Sequence, residues 1–127
     1  VKATGTLKLF APTSKKLAGT CQHKAGAPTL TVADRKNDFF HTVDAAVVLT
    51  GDKSAVSTVT IALGEDSEEI TRTITYDAAK PTAGVSAKLG VKGAVYTVSG
   101  KLANAEDGTP AGTIPVTLVI TCASTKW

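Results

Sequence analysis

The sequence predicts an all-β protein: one antiparallel β-sandwich of about eight strands over residues 1–127, with one disulfide and with a flattened barrel as the near alternative. Three observations carry this. Several segments alternate apolar and polar residues with a period of two, as half-buried strands do. They are separated at short intervals by clusters of Gly, Pro, Asp and Asn, the residues that turns require. Thr, Val and Ala dominate a chain with no Met and one Trp, so β-branched side chains that suit a pleated surface are abundant. Helical periodicity is hard to find.

The elements follow in chain order. "GTLKLFA" places Leu7 and Leu9 on one face, and "PTLTVAD" does the same with Leu30 and Val32. Between them lies a strand that carries Cys21. "ADRKNDFFHTVD", residues 33–44, is the least readable stretch and is either a loop or one or two helical turns. "DAAVVLTGDKSAVSTVTIAL" has two apolar runs around Gly51-Asp52-Lys53, a hairpin signal, with Val59, Ile61 and Leu63 inward. After the acidic turn "GEDSEE", "ITRTITY" sets Arg72 between Ile70 and Ile74. An arginine on such a face implies either an edge strand or a guanidinium that reaches a nearby carboxylate.

"AGVSAKLGV" and "AVYTVSGKL" then form a hairpin across "VKGA", with Tyr96, Val98 and Leu102 on one side. The last strand is the clearest: Ile114, Val116, Leu118, Ile120 and Cys122 share a face, opposite Thr117 and Thr121. Pro115 sits near its predicted start, because a residue that cannot donate a ladder hydrogen bond belongs at a strand beginning or an edge.

Cys21 and Cys122 enclose about a hundred residues. A bridge across so long a loop would stabilise by about 4–5 kcal/mol in the chain-entropy model and would tie a strand near the amino end to the final one. The reading is a disulfide in an exported protein; the alternative is two buried free thiols. Cys21-Gln22-His23 comes nearest to an activated thiolate, yet no CxxC is present and Cys21 is better used in a bridge.

Composition excludes several classes. The chain has 14 Lys+Arg and 11 Asp+Glu, a formal net charge of +3, with only 5% aromatic residues. The signs are interleaved, so no basic stripe with aromatic platforms suggests nucleic acid. No apolar run reaches the roughly 18 residues of a membrane-crossing helix. There is no G-x-S-x-G, H-E-x-x-H or Walker-type loop, so the sequence predicts no enzyme, no cofactor and no metal site. "GEDSEE" and "NAEDGT" lack calcium-loop spacing and read as solvated turns.

Phe39-Phe40-His41 is the one candidate binding segment. Two adjacent rings in an extended polar stretch cannot both point inward, and an exposed ring beside Arg35 and Lys36 would mark a partner or lipid contact. The alternative is a helical turn that buries both rings, and that reading is preferred.

With Cys21, the hairpins, and "YTVSGKLANAEDGTPAGTIPVTLVITC" in hand, the chain resembles the LpqH-type mycobacterial lipoprotein antigens. The resemblance rests on Cys21, Tyr96, Gly100, Pro115 and Thr121-Cys122; it is good from about Val85 to Cys122 and absent around "DRKNDFFH". It implies an actinobacterial cell-envelope protein, exported, anchored to the membrane by acyl chains on a cysteine ahead of Val1, and displayed extracellularly at the cell surface. It also implies glycosylation of threonines near the amino terminus, for which Thr4, Thr6 and Thr13 are available. The expected role is a non-catalytic surface binding or structural module, an antigen or adhesin whose partner is a host or envelope protein or a glycolipid. A carrier of an apolar envelope lipid in a cavity between the sheets is the second reading, and a phage-encoded or secreted exclusion or inhibitor protein the third.

Overall fold

The structure, a computed structural model, describes residues 1–9, 16–37, 41–64 and 71–127. Among the described residues nine strands are present, in chain order β1 (Lys2–Lys8), β2 (Leu17–Lys24), β3 (Ala27–Asn37), β4 (His41–Leu49), β5 (Val56–Leu63), β6 (Arg72–Asp77), β7 (Ser86–Lys92), β8 (Val95–Glu106) and β9 (Thr109–Cys122). All pairings are antiparallel, and the strands join in the order β6-β5-β4-β3-β2-β1-β9-β8-β7, with β6 also bonded to β8.

That last pairing corrects the expected sandwich to its alternative, a barrel. A sandwich keeps two sheets whose facing edges are not hydrogen-bonded to each other, whereas here the sheet returns on itself through Arg72–Glu106, Thr73–Ala105, Ile74–Asn104 and Thr75–Ala103. Eight strands therefore close a ring, and β7 lies outside that ring. β8 makes this possible by using one edge twice: Val95 to Lys101 pair with β7, and Ala103 to Glu106 pair with β6.

Alternation fills the interior. Leu7, Leu17, Leu30, Leu49, Ile61, Ile74, Leu102, Leu118 and Ile120 are among the largest fully buried side chains. The predicted faces hold in the hairpins and in the last strand: Val59, Ile61 and Leu63 are buried, as are Tyr96, Val98 and Leu102, and Ile114 through Cys122 at every second residue. β9 begins at Thr109, however, so Pro115 sits mid-strand. It is tolerated there because the described β1–β9 ladder stops at Lys8–Thr117, two residues short of it. Residues 33–37 are strand with a register shift between Asp34 and Asn37, which overturns the helical alternative for that part of the unreadable stretch.

Cys21 and Cys122 are bonded, with Cα atoms 5.9 Å apart. They belong to β2 and β9, the two neighbours of β1, and strands separated by one intervening strand lie about 9.5 Å apart in a flat sheet. The wall therefore curls tightly at the start of β1. The bridge lies on the inward face beside buried Ala3, whose small side chain leaves it room.

The strand directions sort the connections into two sets. Val1, the turns at residues 25–26, 50–55 and 93–94, and residues 123–127 gather at one end of the barrel. The links from β1 to β2, β3 to β4, β5 to β6 and β8 to β9 leave from the other.

Candidate functional site

At the end that holds Val1, the chain turns back after Cys122 and lays Trp127 against the core. The Lys53 ammonium sits 3.8 Å from the indole ring centroid, a cation–π contact, and donates to the Trp127 carbonyl at 3.1 Å. Tyr96 meets the indole edge-on with centroids 5.9 Å apart, and the His23 ring is 5.8 Å away. The indole N–H is shielded and has no acceptor. Three hairpins thus contribute one ring or cation each to a cap over the barrel mouth, and the isolated tryptophan in the sequence gave only its presence as a signal.

Lys53 is placed by its own turn. Thr50 N donates to Ala55 O at 3.0 Å and closes the turn, while Lys53 N donates to Thr50 O at 2.8 Å. The Asp52 carboxylate accepts from Ser54 Oγ and Thr50 Oγ1, each at 2.6 Å, and from Ser54 N at 3.1 Å. These bonds, the Ser54 hydroxyl first, hold its pKa down at about 2. A carboxylate depressed by folding stabilises above its unfolded value of about 3.9 and loses that contribution as pH falls towards the folded value. Thermal melts of Asp52→Asn are therefore expected to fall less steeply than those of the parent between about pH 4 and pH 2; parallel curves would contradict this.

The opposite end carries the seam. Arg72 does not mark an edge strand; its guanidinium reaches a carboxylate, with Nη2 3.0 Å from Glu106 Oε1. Nη1 donates to Asn104 Oδ1 at 3.4 Å, and Asn104 Nδ2 donates to Ala111 O at 3.4 Å. Asp107 accepts from both the Thr71 hydroxyl and the Thr71 N–H, at 2.7 and 3.0 Å, which lowers its pKa. The residues of "NAEDGT" expected to form a solvated turn therefore lash β6 to the β8–β9 hairpin. The acidic residues of "GEDSEE", Glu65, Asp66, Glu68 and Glu69, and Ile70 lie outside the described residues.

A shallow concavity of about 350 Å³ lies on the outer wall of β2–β5. Ala18, Gly19, Thr31, Ala33, Ala46, Thr60 and Ala62 line it, and the Arg35–Asp44 ion pair, 2.9 Å, stands at its rim. The outward residues there are small, so the concavity offers apolar contact area beside an ion-paired carboxylate.

Of the predicted binding segment, Phe39 and Phe40 lie outside the described residues. His41 opens β4 opposite Asn37, at the end of the barrel away from Val1. Among the described residues, no group of three or more His, Cys, Asp or Glu is placed to hold a metal ion, and no helix is long and apolar enough to cross a membrane. Thr4 and Thr6 face outward on β1; Thr13 is outside the described residues.

Two comparisons bear on this arrangement. A family model described as the Mycobacterium 19 kDa lipoprotein antigen matches residues 11–123. A search of curated proteins finds no match.

Proposed function

Because the chain belongs to the mycobacterial 19 kDa lipoprotein antigen family, we propose that it is the non-catalytic domain of an exported, lipid-anchored envelope protein that works as a surface binding or structural module. The observation that carries this is polarity of layout. Val1, ahead of which an acylated cysteine would join, lies at one end of the barrel, while the links between β1 and β2, β3 and β4, and β5 and β6 leave from the other. An anchor at the first end presents the second to the surroundings, and loops held by a rigid scaffold are where binding residues concentrate. β4 starts at that presented end with His41, and the Phe39-Phe40-His41 segment is the proposed contact for a host or envelope protein or a glycolipid.

Filling of the interior supports this reading over lipid carriage inside the barrel. The inward positions hold Leu, Ile and Val in contact with one another, whereas carrier sites enclose roughly 300 Å³ or more of apolar space. Native mass spectrometry of the full-length lipoprotein from its own membrane tests the choice. The expected mass is the polypeptide with covalent acyl chains; a further lipid, retained without a covalent bond, would turn the assignment to a carrier.

A further inference from the structure

Lysines far apart in the sequence meet at one end of the barrel. Among the described residues, Lys2, Lys24, Lys53, Lys92 and Lys126 lie at the end that holds Val1 and Trp127, with Asp52 in the same turn as Lys53 and Asp77 opposite Thr58 near the start of β5. Five lysines against two carboxylates leave this end a surplus of positive charge. Lys2, Lys24, Lys92 and Lys126 are exposed, and Lys53 is half-buried against Trp127.

A second, independent feature occupies the same end. Among the described residues the exposed large hydrophobics are Val1 at 42% and Val91 at 49%, and Val91 lies one residue before Lys92 at the β7–β8 turn. Trp127 at the same end is half-buried, with its indole against His23, Tyr96 and Lys53. Cations ringed about a few exposed apolar groups and an interfacial tryptophan form a surface suited to lipid headgroups, since lysines satisfy phosphates while short apolar side chains enter the boundary layer.

We propose that this lysine-ringed end docks directly on an anionic phospholipid bilayer and holds the barrel axis upright, with the link-bearing end turned away from the membrane. The attraction is local to this end, because a charged lipid surface acts only within about a Debye length of the side chains that face it. The proposal rests on the anchored reading above for its biological setting, but the docking itself needs no acyl chain.

The test uses the 127-residue chain without acylation, so its failure and failure of the anchored reading are separable. Flotation is measured with phosphatidylcholine vesicles and with mixed phosphatidylcholine–phosphatidylglycerol vesicles at low salt, and fluorescence of the single tryptophan is followed with brominated lipid present. Binding is expected only with phosphatidylglycerol, with quenching of Trp127 and loss of binding at high salt. Each of Lys2→Gln, Lys24→Gln, Lys92→Gln and Lys126→Gln is expected to lower partitioning about fivefold. Lys8→Gln with Lys16→Gln, at the other end, is expected to leave it unchanged. Circular dichroism confirms that these surface variants fold. No binding, equal effects of the two lysine sets, an unquenched tryptophan, or binding to a soluble polyanion without vesicle binding would each overturn the proposal.

Discussion

Replacing both bridging cysteines, Cys21→Ala with Cys122→Ala, is expected to lower unfolding free energy by about 4 kcal/mol. The bonded residues are 101 apart in sequence, so in the chain-entropy account the open loop returns to the denatured ensemble nearly the whole freedom of the chain. The native side of the balance adds to this. The bridge passes beside β1, which pairs with β2 from Lys2–Thr20 to Gly5–Leu17 and with β9 from Ala3–Cys122 to Lys8–Thr117. Without it, the start of β1 and the end of β9 are free to fray together. For a chain of this size the loss corresponds to a melting temperature lower by roughly 15 °C. Circular dichroism melts of the parent, the parent with reductant, and the double variant measure it. A double variant that melts with the parent would show that the contribution lies elsewhere than in the cross-link.

The same residues explain what was legible in the sequence. β9 was readable from Ile114 to Cys122 because each second residue is buried. Its first five residues were not, since Thr109 to Thr113 are all exposed. A strand that runs past the core has no alternation to display. β2 was expected around Cys21 but shows little alternation for a related reason: Leu17 and Cys21 point inward, but the inward position between them is Gly19, which has no side chain to continue the pattern. Sandwich and barrel share one periodicity, so only the β6–β8 hydrogen bonds separate them. The one sequence clue was Arg72, whose partner Glu106 lies across that seam.

The candidate surfaces were less legible than the core. Charge runs are visible in a sequence only when like charges are adjacent, and here the lysines come from three separate hairpins, "HKAG", "GDKS" and "VKGA", and from the chain ends. Each hairpin alone is an ordinary polar turn. Their convergence follows from strand direction, because all three turns join a strand running towards Val1's end to one running away from it. Trp127 was likewise outside any periodic segment, and its contacts with Lys53 and Tyr96 link residues far apart in the chain.

Gly100→Ala is expected to cost about 3 kcal/mol, because β8 passes there from one partner strand towards the other and has no room for a side chain. A Cβ at Gly100 would stand 2.0 Å from Ser86 O and 2.9 Å from Ala87 Cα. These are backbone atoms at the first two pairs of the β7–β8 ladder, so only separation of β7 from β8 relieves the clash. Hydrogen exchange should then show lost protection across Ser86–Lys92 while the β6–β8 pairs stay protected, since Arg72, Glu106 and Asn104 hold them from the far end. Gly90→Ala is the control within the same pair of strands. Its nearest neighbour to an added Cβ is Thr97 O at 4.0 Å, so that change is expected to stay within about 0.5 kcal/mol of the parent. If the two alanine variants prove equally stable, β7 is not clamped to β8 at Gly100, and closure of the barrel does not depend on β8 serving two strands along a single edge.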